Sequence, residues 1–191
     1  MTKKQSDVFD DDLLRHGDKR NVTDKYRMWS VEAIKADLYQ NAFPIHIAIE
    51  NFQHDYNIGS IVRTANACRV AGVHIVGKRH WNRRGAMATE KYLSVAHYPT
   101  IEEFISWQEQ ANMTLIGVDN IAGSVPLTNA ELPKNAIYVF GQEGPGLSKD
   151  MQSYCKYLVA IEQFGSTRSV NVGVAGGIVM YEWLRRNVLA Q

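Results

Sequence analysis

Residues 137–148 read IYVFGQEGPGLS, a short apolar run that stops on a cluster of glycines around one proline. Ile137–Phe140 has the wholly apolar, β-rich make-up of a strand buried on both faces, which is how strands of a parallel sheet read. Glycines directly after such a strand let the backbone approach a ligand or adopt positive φ. Open α/β sheets bind their ligands at the carboxyl ends of strands, so Gly141–Gly146 is a candidate small-molecule site. It is not a dinucleotide fingerprint. GQEGPG lacks the GxGxxG spacing, and Pro145 stands where a helix should open. No Gly-Lys-Ser/Thr follows, as a phosphate loop requires.

The same kind of run recurs outward from this point. Ile45–Ile49, Val73–Val76, Leu115–Val118 and Tyr157–Ile161 are further candidate strands. Helical patterns separate them: Ile58–Ala71, closed by Gly72 as its C′ residue, then Ile101–Asn112 and Ser148–Tyr154. A last helix spans Val170–Val188, where Val170, Val174, Ile178, Tyr181 and Leu184 recur at three- and four-residue spacing and predict one buried face. Strands separated by helices imply βαβ units. The expected class is α/β, with a mainly parallel sheet and helices on both faces. Half of the 14 glycines lie from Gly141 onward, and Gly173, Gly176 and Gly177 fall inside the last helix. Each costs a helix about 1 kcal/mol relative to alanine, so they point to close packing against another backbone, such as a partner subunit.

Residues 1–44 differ from the rest. Met1–Arg27 mixes acidic and basic residues with little apolar content and reads as an arm, disordered or partly ordered. Val31, Ile34 and Leu38 then form a short amphipathic helix, with Ser30 as its N-cap, and Pro44 closes the appendage. Residues 45–191 form the second unit.

Composition narrows the partners. The 191 residues are 45% hydrophobic and carry 21 Lys+Arg against 20 Asp+Glu, a net charge of +1, so wholesale disorder is excluded. No apolar run reaches the roughly 18 residues of a membrane span. The N-terminus has no secretory h-region. Cys68 and Cys155 make neither a disulfide framework nor a metal site. These features predict a soluble, cytoplasmic protein without a metal. With a pI near 7.8, any nucleic-acid surface must be local. Lys78, Arg79, Arg83 and Arg84 supply such a patch around Trp81, whose indole could stack on a base while the cations neutralise phosphates. A solvated loop is the plainer alternative.

The polar residues that stand out are Asn57, Arg63, Glu143, Ser169 and Asn171. Taken singly, Asn57 serves as an N-cap, Glu143 as a surface carboxylate and Ser169 as a cap for the last helix. Together the stretches are more specific. Asn57–Ala65 (NIGSIVRTA), Val139–Ser148 (VFGQEGPGLS) and Ser169–Ala175 (SVNVGVA) resemble, in order and spacing, the three motifs of the SpoU/TrmH family of RNA ribose 2′-O-methyltransferases, within the SPOUT superfamily. Val170 stands where many members have leucine, and Gly173 where serine is frequent. The resemblance covers roughly residues 45–191.

That resemblance implies a deep trefoil knot near the C-terminus, where chain pattern alone gives an open doubly wound sheet. It implies S-adenosylmethionine as methyl donor, cradled by Val118, Gly141, Ile161 and Val170. It also implies a homodimer with active sites at the subunit interface, and an RNA substrate, tRNA or rRNA, with tRNA the first choice. Arg63 would lie nearest the ribose 2′-oxygen. A guanidinium is a poor base, so orienting the hydroxyl and stabilising its developing charge is the preferred role. Asn57 and Glu143 would hold Arg63, and Ser169 and Asn171 would complete the polar shell. RNA selection would fall to the arm and loops, including Lys78–Arg84. The rival readings are a base-directed relative and a non-catalytic RNA-binding protein of the same fold.

Overall fold

The structure, a computed structural model, describes residues 8–53 and 57–190. Seven strands form one sheet: β1 (Phe43–Asn51), β2 (Val70–Gly77), β3 (Val95–Tyr98), β4 (Thr114–Val118), β5 (Val125–Pro126), β6 (Ala136–Phe140) and β7 (Tyr157–Ala160). Their order is β3-β2-β1-β6-β4-β7-β5, and every neighbouring pair is parallel. The helices are α1 (Asp11–His16), α2 (Val31–Gln40), α3 (Ile58–Ala67), α4 (Ile101–Ala111), α5 (Lys149–Tyr154) and α6 (Val172–Leu184). Alternation along the strands divides the core between two faces. Ile45, Ile47, Ile49, Tyr138 and Phe140 pack with α3 and α6, whereas Ala48, Ile137 and Val139 pack with α4 and α5. Burial on both faces explains why these strands are largely apolar.

All five expected strands are present. The two without a sequence signal, β3 and β5, pair on one side only and are short, as edge strands usually are. The helix expected over Ile58–Ala71 stops at Ala67, and Gly72 is not its cap. Arg69 takes the left-handed turn at φ 53°, and Val70 onward joins the sheet beside β1. Gly72 pairs with His46 in that register, and a Cβ there would lie 3.1 Å from the His46 ring.

Helix α6 corrects the expected buried face. Val174, Ile178 and Tyr181 are 54%, 38% and 61% exposed, while Ala175, Val179, Met180 and Trp183 meet the core. A helix apolar all round gives no unique face to its periodicity. Two of its glycines serve packing within the chain: a Cβ on Gly176 would come within 3.1 Å of Ile61, and one on Gly173 within 3.3 Å of Ser60. Gly177 has only Thr64 near it, at 3.9 Å. Beyond Leu184 the chain makes a π-helical turn over Arg185–Leu189.

The expected arm is folded from Val8 onward; Met1–Asp7 lie outside the described residues. Its hub is the buried carboxylate of Asp18. It accepts from the Arg20 backbone N–H and guanidinium at 2.6–2.9 Å and from the Met28 N–H at 3.1 Å. The Arg20 guanidinium also donates to the Trp29 carbonyl at 2.8 Å. Charge alternation therefore marks a local polar core here, not a solvated tail. Tyr26, Ile34 and Tyr92 form a small apolar cluster that seats α2 on the body of the molecule.

The Arg20 guanidinium, bonded to Asp18, holds that carboxyl well below the usual range. A depressed carboxyl stabilises the folded form above its unfolded pKa of about 4, and that contribution fades as pH falls toward the folded value. Asp18→Ala should lower hydrogen-exchange protection of the Arg20 and Met28 amides about tenfold at neutral pH. Wild-type protection at the same amides should decline below about pH 4.

Candidate active site

Polar residues end the buried strands at the carboxyl end of the sheet and hold the glycine turn between them. Chain direction reverses there so sharply that a Cβ on Gly141 would lie 2.1 Å from the Gly146 carbonyl carbon and the Leu147 nitrogen. Gln142 and Gly146 exchange two backbone hydrogen bonds at 3.0 Å across the turn, and Gly144 and Gly146 take positive φ. Three side chains fix this turn. Asp119, just beyond β4, accepts from the Leu147 N–H at 2.8 Å. Glu50, near the end of β1, accepts from the Ser148 N–H at 2.7 Å and its hydroxyl at 2.5 Å. Gln142 Oε1 accepts from the Phe52 and Gln53 N–H groups at 3.1 and 2.6 Å. Burial pushes the Glu50 carboxyl upward, opposed by the two Ser148 bonds. The sequence reading missed Glu50, Asp119 and Gln142. Their signal was a polar residue at the carboxyl end of an apolar strand, or just beyond it.

Three separated stretches converge beside the turn. Asn57 precedes α3, yet its side chain makes no capping bond. Its Nδ2 donates to Glu143 Oε2 at 2.6 Å, and its Oδ1 accepts from Asn171 Nδ2 at 3.0 Å. Asn171, not Ser169, caps α6, accepting from the Gly173 and Val174 N–H groups. Ser169 is exposed and makes no hydrogen bond among the described residues.

A cavity of about 420 Å³ opens between the glycine turn and the segment leading into α6. Val118, Gly141, Ile161 and Val170 all line it, together with Glu143, Ser169 and Asn171. Asp119 and Gln163 line it as well, and Gln163 Oε1 is a buried acceptor with no partner among the described residues. Asn120 Nδ2 donates to the Arg168 carbonyl at 3.3 Å and ties the two sides together. Arg63 is not part of this wall. It sits exposed on α3, faces a groove beside the N-terminal segment, and makes no bond to Asn57 or Glu143. Among the described residues no cluster of His, Cys, Asp or Glu could hold a metal, and no helix is long and apolar enough to cross a membrane.

The basic loop follows β2. Lys78, Arg79, Arg83 and Arg84 are exposed, and none forms a salt bridge among the described residues. Trp81 is only 6% exposed and belongs to the core, so its indole is withdrawn from the stacking role expected of it. The turn Arg83–Ala86 lies against the first turn of α3, where a Cβ on Gly59 would meet the Ala86 nitrogen at 2.9 Å. The loop is thereby held beside the start of the helix that Asn57 opens.

Residues 44–181 match the sequence profile of the SpoU rRNA methylase family. The chain belongs to that family. It is 30% identical over 158 residues to the 23S rRNA (guanosine-2′-O-)-methyltransferase RlmB of Neisseria meningitidis, which covers 76% of this chain and 60% of that protein. An AdoMet-bound rRNA methyltransferase from Sinorhizobium meliloti is 26% identical, with a TM-score of 0.68 over 79% of this chain and 60% of that one. The TrmH/SpoU tRNA modifying enzyme of A. aeolicus shares the fold, with a TM-score of 0.73 at 20% identity over 84% of this chain and 83% of that one. The chain spans 43% to 63% of the length of three curated relatives that it matches.

Gly141→Ala forces a Cβ into the opposite limb of the turn. It should cost about 3 kcal/mol in urea denaturation. A cost within 0.5 kcal/mol, about the level of a neutral surface change, would mean that the turn is not folded back on itself.

Proposed function

We propose that the protein methylates a ribose 2′-hydroxyl in tRNA or rRNA, using S-adenosylmethionine bound in the cavity beside Gly141. The observation that carries this reading is the hydrogen-bonded line Glu143–Asn57–Asn171, which joins all three family motifs at the rim of that cavity. The cavity suits the donor. Val118, Ile161 and Val170 offer apolar walls for an adenine, Gly141 leaves backbone accessible, and the unpartnered Gln163 Oε1 can accept from a polar group of the ligand. When bound, the donor supplies an electrophilic sulfonium methyl. The chain's own task is to place the hydroxyl in line with it and to help its proton leave, and positioning alone contributes several kcal/mol.

Arg63 orients the 2′-hydroxyl and stabilises the charge that develops on its oxygen, with the proton passing to phosphate or water. Asn57 and Glu143 steady each other at the rim, and Ser169 keeps a free hydroxyl there. Because Arg63 does not line its own chain's cavity, we assign the complete site to a homodimer, with Arg63 of one protomer serving beside the cavity of the other. The exposed apolar side of α6, with Val174, Ile178 and Tyr181, is the surface such a dimer would cover. A trefoil knot at the C-terminus accords with the clasp around α6 and the turn that follows it. Trp183 Nε1 donates to the Pro133 carbonyl, and Arg186 donates to the carbonyls of Leu127, Thr128 and Ala130. Lys78, Arg79, Arg83 and Arg84 contact RNA phosphates. Residues 1–44 act as the appended arm and 45–191 as the catalytic unit, and RNA as substrate puts the enzyme in the cytoplasm.

Incubation with isotopically labelled donor and RNA from a strain lacking the gene, followed by digestion to nucleosides and mass spectrometry, tests the reaction. The expected product is a labelled 2′-O-methylnucleoside that disappears with Arg63→Ala while donor affinity stays within about twofold. A labelled base would move the target, and normal turnover in the variant would remove Arg63 from the chemistry. Ile178→Glu should convert a sedimenting dimer to monomer and reduce methylation with it. A wild-type enzyme that is active as a monomer would contradict the shared site.

A further inference from the structure

Arg63 faces a second groove, of about 500 Å³, whose opposite wall is the N-terminal segment. Asn21, Thr23 and Lys25 come from that segment, and Asn66 and Arg69 from the end of α3 and the turn after it. The wall is rigid because the Asp18–Arg20 hub and the Tyr26–Ile34–Tyr92 cluster fix the chain on both sides of residues 21–25. Its charges do not cancel. Lys25 is paired with Asp37 at 2.8 Å, and Asp37 also accepts from the Tyr26 hydroxyl at 2.7 Å. The guanidiniums of Arg63 and Arg69, by contrast, make no hydrogen bond or salt bridge among the described residues, although the Asp37 carboxyl, lowered chiefly by its bond to Lys25, also feels the Arg69 charge. The left-handed turn at Arg69, φ 53°, puts this second guanidinium on the groove that Arg63 also lines.

The polar lining is also unused. Thr23 sits at the N-cap of a short 3₁₀ turn without making a capping bond. Asn21 is exposed and its side chain makes no hydrogen bond, and the Asn66 amide nitrogen is buried with no partner. Two free guanidiniums flanked by small hydroxyl and amide groups match a phosphodiester, whose oxygens accept bidentate and single hydrogen bonds. A neutral or cationic ligand would leave Arg63 uncompensated and Arg69 with only the Asp37 carboxylate, which is already paired with Lys25.

We infer that this groove holds the substrate RNA strand next to the methylated nucleotide, with Arg69, Asn21 and Thr23 receiving a phosphate while Arg63 reaches the target ribose. The inference rests on the RNA-methyltransferase reading above and gives the N-terminal segment its part in it: it is a wall of the substrate channel. Arg69 is then a binding residue that selects RNA geometry and takes no part in the chemistry.

The test compares Arg69→Gln, Arg69→Lys and Lys35→Gln with wild type, using RNA from the strain lacking the gene. Lys35 is exposed on α2 outside the groove and removes the same charge. In Arg69→Gln the KM for RNA should rise about tenfold at low salt, with kcat and donor affinity within twofold of wild type. The slope of log(1/KM) against log salt should fall by about one, the signature of one lost phosphate contact. Arg69→Lys should recover most of the loss, and Lys35→Gln should leave both quantities unchanged. Wild-type KM and salt slope in Arg69→Gln, or an equal loss in Lys35→Gln, overturns the groove assignment while leaving the enzyme reading intact. Absence of RNA methylation by the wild type overturns both.

Discussion

The peptide that joins Gly146 to Leu147 lies against the α-carbon of Gly141 at a distance no side chain could tolerate. Everything around the candidate site depends on that contact. It turns the chain at the end of β6 back toward β4, where Asp119 receives the Leu147 N–H, and it delivers Ser148 to Glu50 as α5 begins. It also throws Glu143 outward to meet Asn57. The apolar parallel sheet supplies the frame for this turn. With both faces covered, the polar ends of its strands gather at the carboxyl end of the sheet, where open α/β sheets bind their ligands.

Much of this was legible in the chain itself. Leu115–Val118 and Ile137–Phe140 read as buried strands because burial on two faces disfavours polar residues, and Ile45–Ile49 reads the same way with His46 as its one polar, half-buried exception. Gly141–Gly146 read as a ligand turn because it follows such a strand. Elsewhere the same rules ran out for physical reasons. Val70–Gly72 continue a helical pattern locally, yet hydrogen bonding to β1 takes them into the sheet. Trp81 sits among cations in sequence but is drawn into the core in space. The pattern Val174, Ile178, Tyr181 was correctly apolar, but α6 is apolar on every side. Close packing of Gly173 on Ser60 and of Gly176 on Ile61, with Val179 and Trp183 in the core, sets which side turns inward.

Convergence of Asn57, Glu143 and Asn171 was not derivable from spacing, since 86 and 114 residues separate the bonded pairs. The family resemblance grouped these residues, and the geometry adds what each does. Asn57 gives up a capping bond to bridge the other two, and Asn171 combines that bridge with capping α6. Arg63 belongs to the same motif as Asn57 but stands on the outer side of α3, between the candidate dimer face and the arginine-lined groove. On the proposed reading, a single chain presents the parts of one site on two surfaces, which is the physical reason for proposing that a second copy completes it.

The proposed donor site is one of several cavities of comparable size in the structure. It measures about 420 Å³ beside the glycine turn, and another, of about 440 Å³, lies beneath α2 with Leu38, Ala71 and Leu93 in its wall. Backbone amide spectra recorded while S-adenosylmethionine is titrated into the isotope-labelled protein separate them directly. Saturable shifts confined to Asp119–Ile121, Gly141–Leu147 and Gln163–Val172 are the predicted result. Shifts centred on Leu38, Ala71 and Leu93, or no saturable shifts at all, would contradict the account.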